Sequence, residues 1–200
     1  MHPDTLVLAS SNKGKLKELK HLLKPLNTEV KSQKEFDLAA ADETGLSFVE
    51  NALIKARAAS KATKLPALGD DSGLVVKALK GQPGIYSARF AGENATDAEN
   101  NELLLDKLSD VPTDRRKAKF YCCLVLVEHH RDPAPIVVSG VWHGEILQSP
   151  KGRGGFGYDP LFFDPRLGKT AAELSLEEKS QVSHRGIALN ALIEQLQAQR

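Results

Sequence analysis

Two adjacent carboxylates, Asp70 and Asp71, lie within Gly69-Asp70-Asp71-Ser72-Gly73, directly after the short apolar run Pro66-Ala67-Leu68. Neighbouring carboxylates repel, and part-buried charges left unpaired cost on the order of several kcal/mol each. A chain that places such a pair where a strand gives way to a glycine turn calls for a cation there. Oxygen ligands on a loop suit a hard ion, and Mg²⁺ is commonly held by one or two carboxylates together with waters and substrate phosphates. Side chains alternate along a strand, so one of the two faces such a site. Asp71, nearer the open end, is the one expected to face it. The plain alternative is an Asx-type turn carrying two solvated aspartates.

A second pattern opens the chain. Thr5 to Ala9 reads as a strand, Ser10-Ser11-Asn12-Lys13-Gly14-Lys15 as a polar loop, and leucines at 16, 19, 22 and 23 repeat with helical spacing. Lysines at a helix start face the positive end of its dipole, a conflict of several tenths of a kcal/mol by general estimates, about 0.3–1. An anion bound there removes the conflict, held by free backbone N–H groups and by Lys13 and Lys15. The Walker spacing is absent, so this is a phosphate cradle of another kind. An ordinary solvated loop is the plain alternative.

The elements that must position these groups follow. Ser47 to Thr63 predicts an alanine-rich helix opened by a Ser47/Glu50 capping box, which gives Glu50 a structural task. Leu74 to Leu79 predicts a strand and Gly81 to Gly84 a turn. Asp97 to Leu108 predicts a helix ending near Asp110-Val111-Pro112. Lys119 to His129 and Ile136 to His143 predict two strands joined by a loop over Arg131 to Pro135, with His129 and His130 in water. Helices are predicted around Ala171 to Ser180 and Gly186 to Gln199. Early strand–helix alternation, a hairpin and terminal helices predict an α/β protein with a mixed sheet and flanking helices.

The 200 residues suffice for one domain or two small lobes, with 41% hydrophobic and 26% charged residues. A net charge of +1 provides no overall field for nucleic acid or an anionic membrane, so phosphate affinity must be local. No window reaches the length of a membrane span, and no signal peptide is visible. Cys122 and Cys123 are neighbours in a strand, facing opposite ways and not bridged, which points to a reduced, cytoplasmic setting.

Two later stretches carry recognition chemistry. In Phe156-Gly157-Tyr158-Asp159-Pro160 an aromatic ring offered from a glycine loop can stack on a nucleobase, and Asp159 can accept from a base N–H. The alternative is a hydrophobic plug continuing into Phe162 and Phe163. Lys179, Ser183, His184 and Arg185 gather donors between two predicted helices, although a charged solvated face is the default for such a run.

Taken in order, these motifs resemble the inosine triphosphate pyrophosphatase family, enzymes that hydrolyse dITP, ITP and XTP. The resemblance rests on Ser-Asn-Lys-Gly-Lys-x-x-Glu (11 to 18), Phe-x-Glu-Asn-Ala-x-x-Lys-Ala (48 to 56) and Asp-Asp-Ser-Gly-Leu (70 to 74). It continues through Gly-x-Pro-Gly-Ile-Tyr-Ser-Ala-Arg (81 to 89), Gly-Gly-Phe-Gly-Tyr-Asp-Pro (154 to 160), Lys-Thr-Ala-Ala-Glu-Leu (169 to 174) and Ser-His-Arg (183 to 185). It implies a two-lobed α/β fold around a long mixed sheet, residues 1–200 forming one pyrophosphatase domain with the nucleotide in the cleft between lobes. It also implies a homodimer and Mg²⁺.

Residue by residue, the triphosphate loop falls on Ser10, Ser11, Asn12, Lys13, Gly14 and Lys15, and the catalytic, metal-linked carboxylate on Asp71, with Ser72 beside it on substrate. Base recognition falls on Phe156, Gly157, Tyr158, Asp159, Lys179, His184 and Arg185. A second acidic position near the metal is Asp42 or Glu43, and Lys55 and Arg89 approach the phosphates. Where many relatives carry Thr-Gly-Asn, this chain has Ser10-Ser11-Asn12. The expected partner is a purine nucleoside triphosphate, with no nucleic acid and no membrane. A pyrophosphatase for modified pyrimidines, dTTP or UTP is the nearest rival, against which Ser-His-Arg and Phe-Gly-Tyr-Asp favour the purine version. A nucleotide-sensing or RNA-binding module leaves the acidic pair unexplained.

Overall fold

The computed structural model describes residues 4–10, 12–24 and 28–198. Ser11, expected on the phosphates, lies outside the described residues. The elements run β1 (Thr5–Ala9), α1 (Lys13–Leu23), β2 (Glu29–Ser32), α2 (Phe48–Thr63), β3 (Ala67–Val76) and α3 (Asp97–Lys107). They continue with β4 (Lys117–Val127), β5 (Ile136–Ile146), β6 (Phe162–Asp164), β7 (Lys169–Thr170), α4 (Leu176–Val182) and α5 (His184–Ala198). The sheet order is β2-β1-β3-β4-β5-β6-β7. β1 is parallel to both β2 and β3, whereas β5–β6 and β6–β7 are antiparallel, which makes the expected mixed α/β sheet. Among the described residues no helix is long and apolar enough to cross a membrane.

The chain divides into two compact units, one of residues 1–71, 122–140 and 184–200, the other of 72–121 and 141–183. In the first, Leu6, Leu8 and Leu68 of β1 and β3 pack with Leu19 and Leu23 of α1 and with Leu189, Leu192 and Leu196 of α5. Of the leucine spacing read from α1, Leu19 and Leu23 are buried, and Leu16 is half-buried against the same cluster. In the second, Leu104 and Leu108 meet Phe120, Trp142 and Phe162, whose rings lie 4.4 Å (Phe120–Phe162) and 4.9 Å (Trp142–Phe162) apart. The buried Trp142 indole donates to Asp164 at 2.7 Å, as a buried indole N–H must find an acceptor. Phe162 is core, as expected, and Phe163 is half-buried.

Several boundaries differ from the sequence reading, each for a local reason. α1 begins at Lys13 and not Leu16, because Asn12 caps it by accepting from the Lys15 N–H at 3.0 Å. The helix expected over Ala171 to Ser180 is split into a short 3₁₀ turn (Ala171–Glu173) and α4. Thr170/Glu173 and Ser175/Glu178 form two successive capping boxes, and a chain that caps twice starts twice. The Ser47/Glu50 box does open α2, as predicted.

The largest difference concerns β3. It is one ten-residue strand through Gly69-Asp70-Asp71-Ser72-Gly73, so the acidic pair is mid-strand and no glycine turn follows it. Gly69 is there for close approach: a Cβ at this position would lie 2.0 Å from the Ala52 carbonyl oxygen of α2. Gly140 on β5 performs the same service for α5, its would-be Cβ lying 2.0 Å from the His184 carbonyl oxygen. Gly69→Ala should therefore push α2 off β3 and destabilise the protein by about 1–3 kcal/mol, read as a lower urea midpoint at unchanged m-value.

Candidate active site

A continuous strand sends Asp70 and Asp71 to opposite faces, and each is met there by its own cations. Asp70 shares its face with Leu68, toward α1 and α5. Lys15 Nζ binds its Oδ1 at 2.9 Å and Arg185 Nε its Oδ2 at 3.1 Å. Arg185 Nη1 also reaches Glu18 of α1 at 2.7 Å, all within a buried cluster. Asp71 shares its face with Gly69, toward α2. Lys55 Nζ binds its Oδ1 at 2.7 Å, and Asn51 Nδ2, one turn earlier on α2, stands 3.5 Å from its Oδ2.

The two environments push the carboxyls apart. Burial raises the pKa of Asp70, but Lys15 and Arg185 outweigh it and hold this group well below the usual carboxylate range. For Asp71 burial is the larger effect and wins over Lys55 and Lys15, so its carboxyl titrates above that range. Lys55 is itself raised, because Asp71 and Glu43 together outweigh its burial. Adjacent carboxylates with opposite shifts are the arrangement in which one acts as a fixed counter-charge and the other as a proton acceptor.

Parallel register explains how the helix start comes to this corner. Ala9, the last residue of β1, lies beside Gly69. The loop leaving β1 therefore begins next to Asp70. Ser10 Oγ accepts from the Asn12 N–H at 3.3 Å, and the basic first turn Lys13-Gly14-Lys15 carries no acidic residue. Lys15 already has Asp70 as partner, whereas Lys13 is exposed. Cations at the positive end of a helix dipole, with backbone donors beside them, form an anion-receiving terminus.

Between the two acidic candidates preceding α2 the structure draws a distinction. Glu43 Oε1 lies 3.0 Å from Lys55 Nζ, so Glu43 and Asp71 share one ammonium, whereas the Asp42 side chain is exposed. No group of three His, Cys, Asp or Glu residues that could cage a metal exists among the described residues. The donor set nevertheless fits Mg²⁺ in its substrate-bridged mode, which needs one or two carboxylates and takes its remaining ligands from water and phosphate. Among the described residues, Glu18 and Asp70 pair with Lys15 and Arg185 on one face of β3, and Glu43 and Asp71 share Lys55 on the other.

The second unit holds the glycine-loop residues in a fixed arrangement. Asp159 Oδ2 accepts from the Phe156 N–H at 2.9 Å and from Lys179 Nζ at 2.8 Å, and that ammonium stands 5.3 Å from the Phe156 ring centroid. Tyr158 is buried, its hydroxyl donating to the Ser87 carbonyl at 2.9 Å, so the plug reading holds for this ring while Phe156 is only half-buried. Ser72, half-buried, follows Asp71 on β3. Arg89 stacks over Tyr86 at 5.3 Å and approaches Glu93 at 3.7 Å.

Expected as a base donor, Arg185 is buried with two of its nitrogens on Asp70 and Glu18, and His184 is buried beside it at the start of α5. Asn51 and Glu18, which the motifs contain but to which the sequence assigns no role, enter the site. Asn51 and Lys55 are four apart on α2, a spacing that could have shown both on one face. Cys122 and Cys123 are buried free thiols, as expected. Cys122 Sγ lies 3.9 Å from Asp70, and burial raises its pKa well above the ordinary thiol value.

Comparison with known proteins gives a consistent answer over nearly the whole chain. The chain is 56% identical over 191 residues to the dITP/XTP pyrophosphatase of Salmonella typhimurium strain LT2, covering 96% of this chain and 97% of that one. It is 53% identical over the same length to the dITP/XTP pyrophosphatase of Escherichia coli strain K12, with the same coverage. Among solved structures, a HAM1 protein from Coxiella burnetii superposes with a TM-score of 0.89 at 49% identity, covering 97% of this chain and 98% of its own. The Ham1 family model matches residues 6–195, and the chain belongs to that family.

Proposed function

We propose that this protein hydrolyses non-standard purine nucleoside triphosphates, namely dITP, ITP and XTP or dXTP, to the monophosphate and pyrophosphate. Such an enzyme removes these nucleotides from the pool before they enter DNA or RNA. One observation carries the reading: a buried acidic pair on β3, each carboxylate met by a lysine from a different helix. Full-length relatives named dITP/XTP pyrophosphatases support it. In this reading residues 1–200 act as one pyrophosphatase domain, cytoplasmic and homodimeric.

The phosphate end falls to the first unit. Ser10, Asn12, Lys13, Gly14 and Lys15 supply hydroxyl, backbone and ammonium donors to the triphosphate, with Ser11 in the same loop. Asp71 and Glu43 are the residues that would hold Mg²⁺, which would supply positive charge against the triphosphate. Asp71 orients or deprotonates the attacking water, and its partners Asn51 and Lys55 orient its carboxylate. Ser72 and Lys55 lie next to Asp71 and support the substrate from there. Arg89 is assigned a supporting phosphate contact.

Base reading falls to Phe156, Gly157, Tyr158, Asp159 and Lys179. Hypoxanthine and xanthine carry an acceptor oxygen at C6, where adenine carries an amino donor. An ammonium donates and cannot accept, so Lys179, held by Asp159, suits an acceptor oxygen, and against adenine it meets donor with donor. His184 and Arg185 complete the recognition set. Both candidate base donors already hold carboxylates, Lys179 that of Asp159 and Arg185 those of Asp70 and Glu18.

Pyrophosphate release from ITP, XTP, GTP and ATP with and without Mg²⁺ tests the activity. Turnover of ITP and XTP well above GTP and ATP, abolished by chelation, is the expected pattern, and equal turnover of all four contradicts it. Asp71→Asn should lower kcat/KM for ITP about a thousandfold with an unchanged circular dichroism spectrum, and near-normal turnover by that variant removes Asp71 from its role. Activity should be lost as pH falls through the raised pKa of Asp71. Lys55→Met, which deletes a charge that lowers this pKa, should move that acid limb to higher pH in a kcat profile.

A further inference from the structure

Helix α3 takes no part in the reaction described above, yet it holds the Phe156–Asp159 loop by both backbone groups of one residue. The Gly157 N–H donates to Asp97 Oδ2 at 2.7 Å, and the Gly157 carbonyl accepts from Asn101 Nδ2 at 2.8 Å. Asp97 and Asn101 are four apart on α3 and so present one face. Gly157 itself has φ +59°, a left-handed conformation that a side chain would disfavour. With its two polar groups taken, the peptide planes on either side of Gly157 are fixed, and with them the approach of Phe156 and Asp159.

Asn101 shows that this contact is more than packing. Its Nδ2 serves the Asp97 carbonyl at 2.7 Å as well as Gly157, while its Oδ1 is buried without a hydrogen-bond partner. A buried acceptor left unpaired costs free energy, which offsets part of what the two Nδ2 bonds contribute to folding. The amide is explained by what its donor does to the loop.

We propose that Asp97 and Asn101 are positioning residues that set base selectivity by clamping Gly157, so that the loop presents a fixed face to the purine. This rests on the pyrophosphatase reading and deepens it. The test is the ratio of kcat/KM for ITP over GTP in the wild-type chain, Asn101→Leu, Asp97→Ala and Asp97→Asn. Asn101→Leu removes the donor and the unpaired oxygen together. It should lower the ratio about tenfold, through KM for ITP more than through kcat.

Asp97→Ala should lower the same ratio, and Asp97→Asn, which keeps an acceptor for the Gly157 N–H, should restore it. Asp97 is exposed, so its variants read the clamp even where Asn101→Leu fails to fold. Equal losses on ITP and GTP, or an unchanged ratio in Asp97→Ala, overturn the proposal. A wild-type chain that releases no pyrophosphate from ITP overturns the pyrophosphatase reading and the clamp with it. A selective wild type whose variants stay equally selective overturns the clamp alone.

Discussion

The structure depends on neutralising two consecutive buried carboxylates in the middle of a strand. A strand offers two faces, and the solution is to bring cations from separate helices to each: Lys15 and Arg185 to Asp70, Lys55 to Asp71. Leaving either carboxylate without its partners strands a charge in the interior, a cost of about 3–5 kcal/mol for a broken buried pair. Helices α1, α2 and α5 are therefore tied to β3 by charge as well as by apolar packing. The pair is treated unequally, Asp70 being held well below and Asp71 raised above the ordinary aspartate value.

Short helix–strand distances make this possible. Lys55 and Asn51 reach Asp71 because α2 rests directly on the backbone at Gly69, and Arg185 reaches Asp70 because α5 begins against Gly140. A methyl group at either glycine would hold the helix away and leave the cations short of the acids. The second unit reaches rigidity differently, through an aromatic core and a loop whose successive residues are each bound by a side chain, a hydroxyl or a backbone partner.

Much of this was legible in the chain, and the exceptions have physical causes. The α1 leucine spacing, the Ser47/Glu50 cap and the alternation of Cys122 and Cys123 are local signals, and local structure follows them. Gly69-Asp70-Asp71-Ser72-Gly73 was misread as a strand end because glycine and aspartate favour turns when nothing else is known. What keeps them extended is tertiary: helix contacts at the glycines, and ion pairs to residues 55 and 115 positions away. The choice between Asp42 and Glu43 was open for the same reason, since only the fold reveals which one shares Lys55. β2, β6 and β7 are two to four residues long, too short for any periodicity to show.

The first unit draws its core from three separated stretches, with Leu189, Leu192 and Leu196 of α5 set against Leu6 and Leu8 near the other end of the chain. Contacts of such sequence separation must close large loops before they repay the entropy lost. During synthesis β1 and α1 emerge first and wait for α5, whereas the second unit has all its residues once position 183 is out. The half that carries the acidic pair is thus the last to be completed, and a growing polypeptide carries its acidic strand incompletely neutralised until Arg185 arrives.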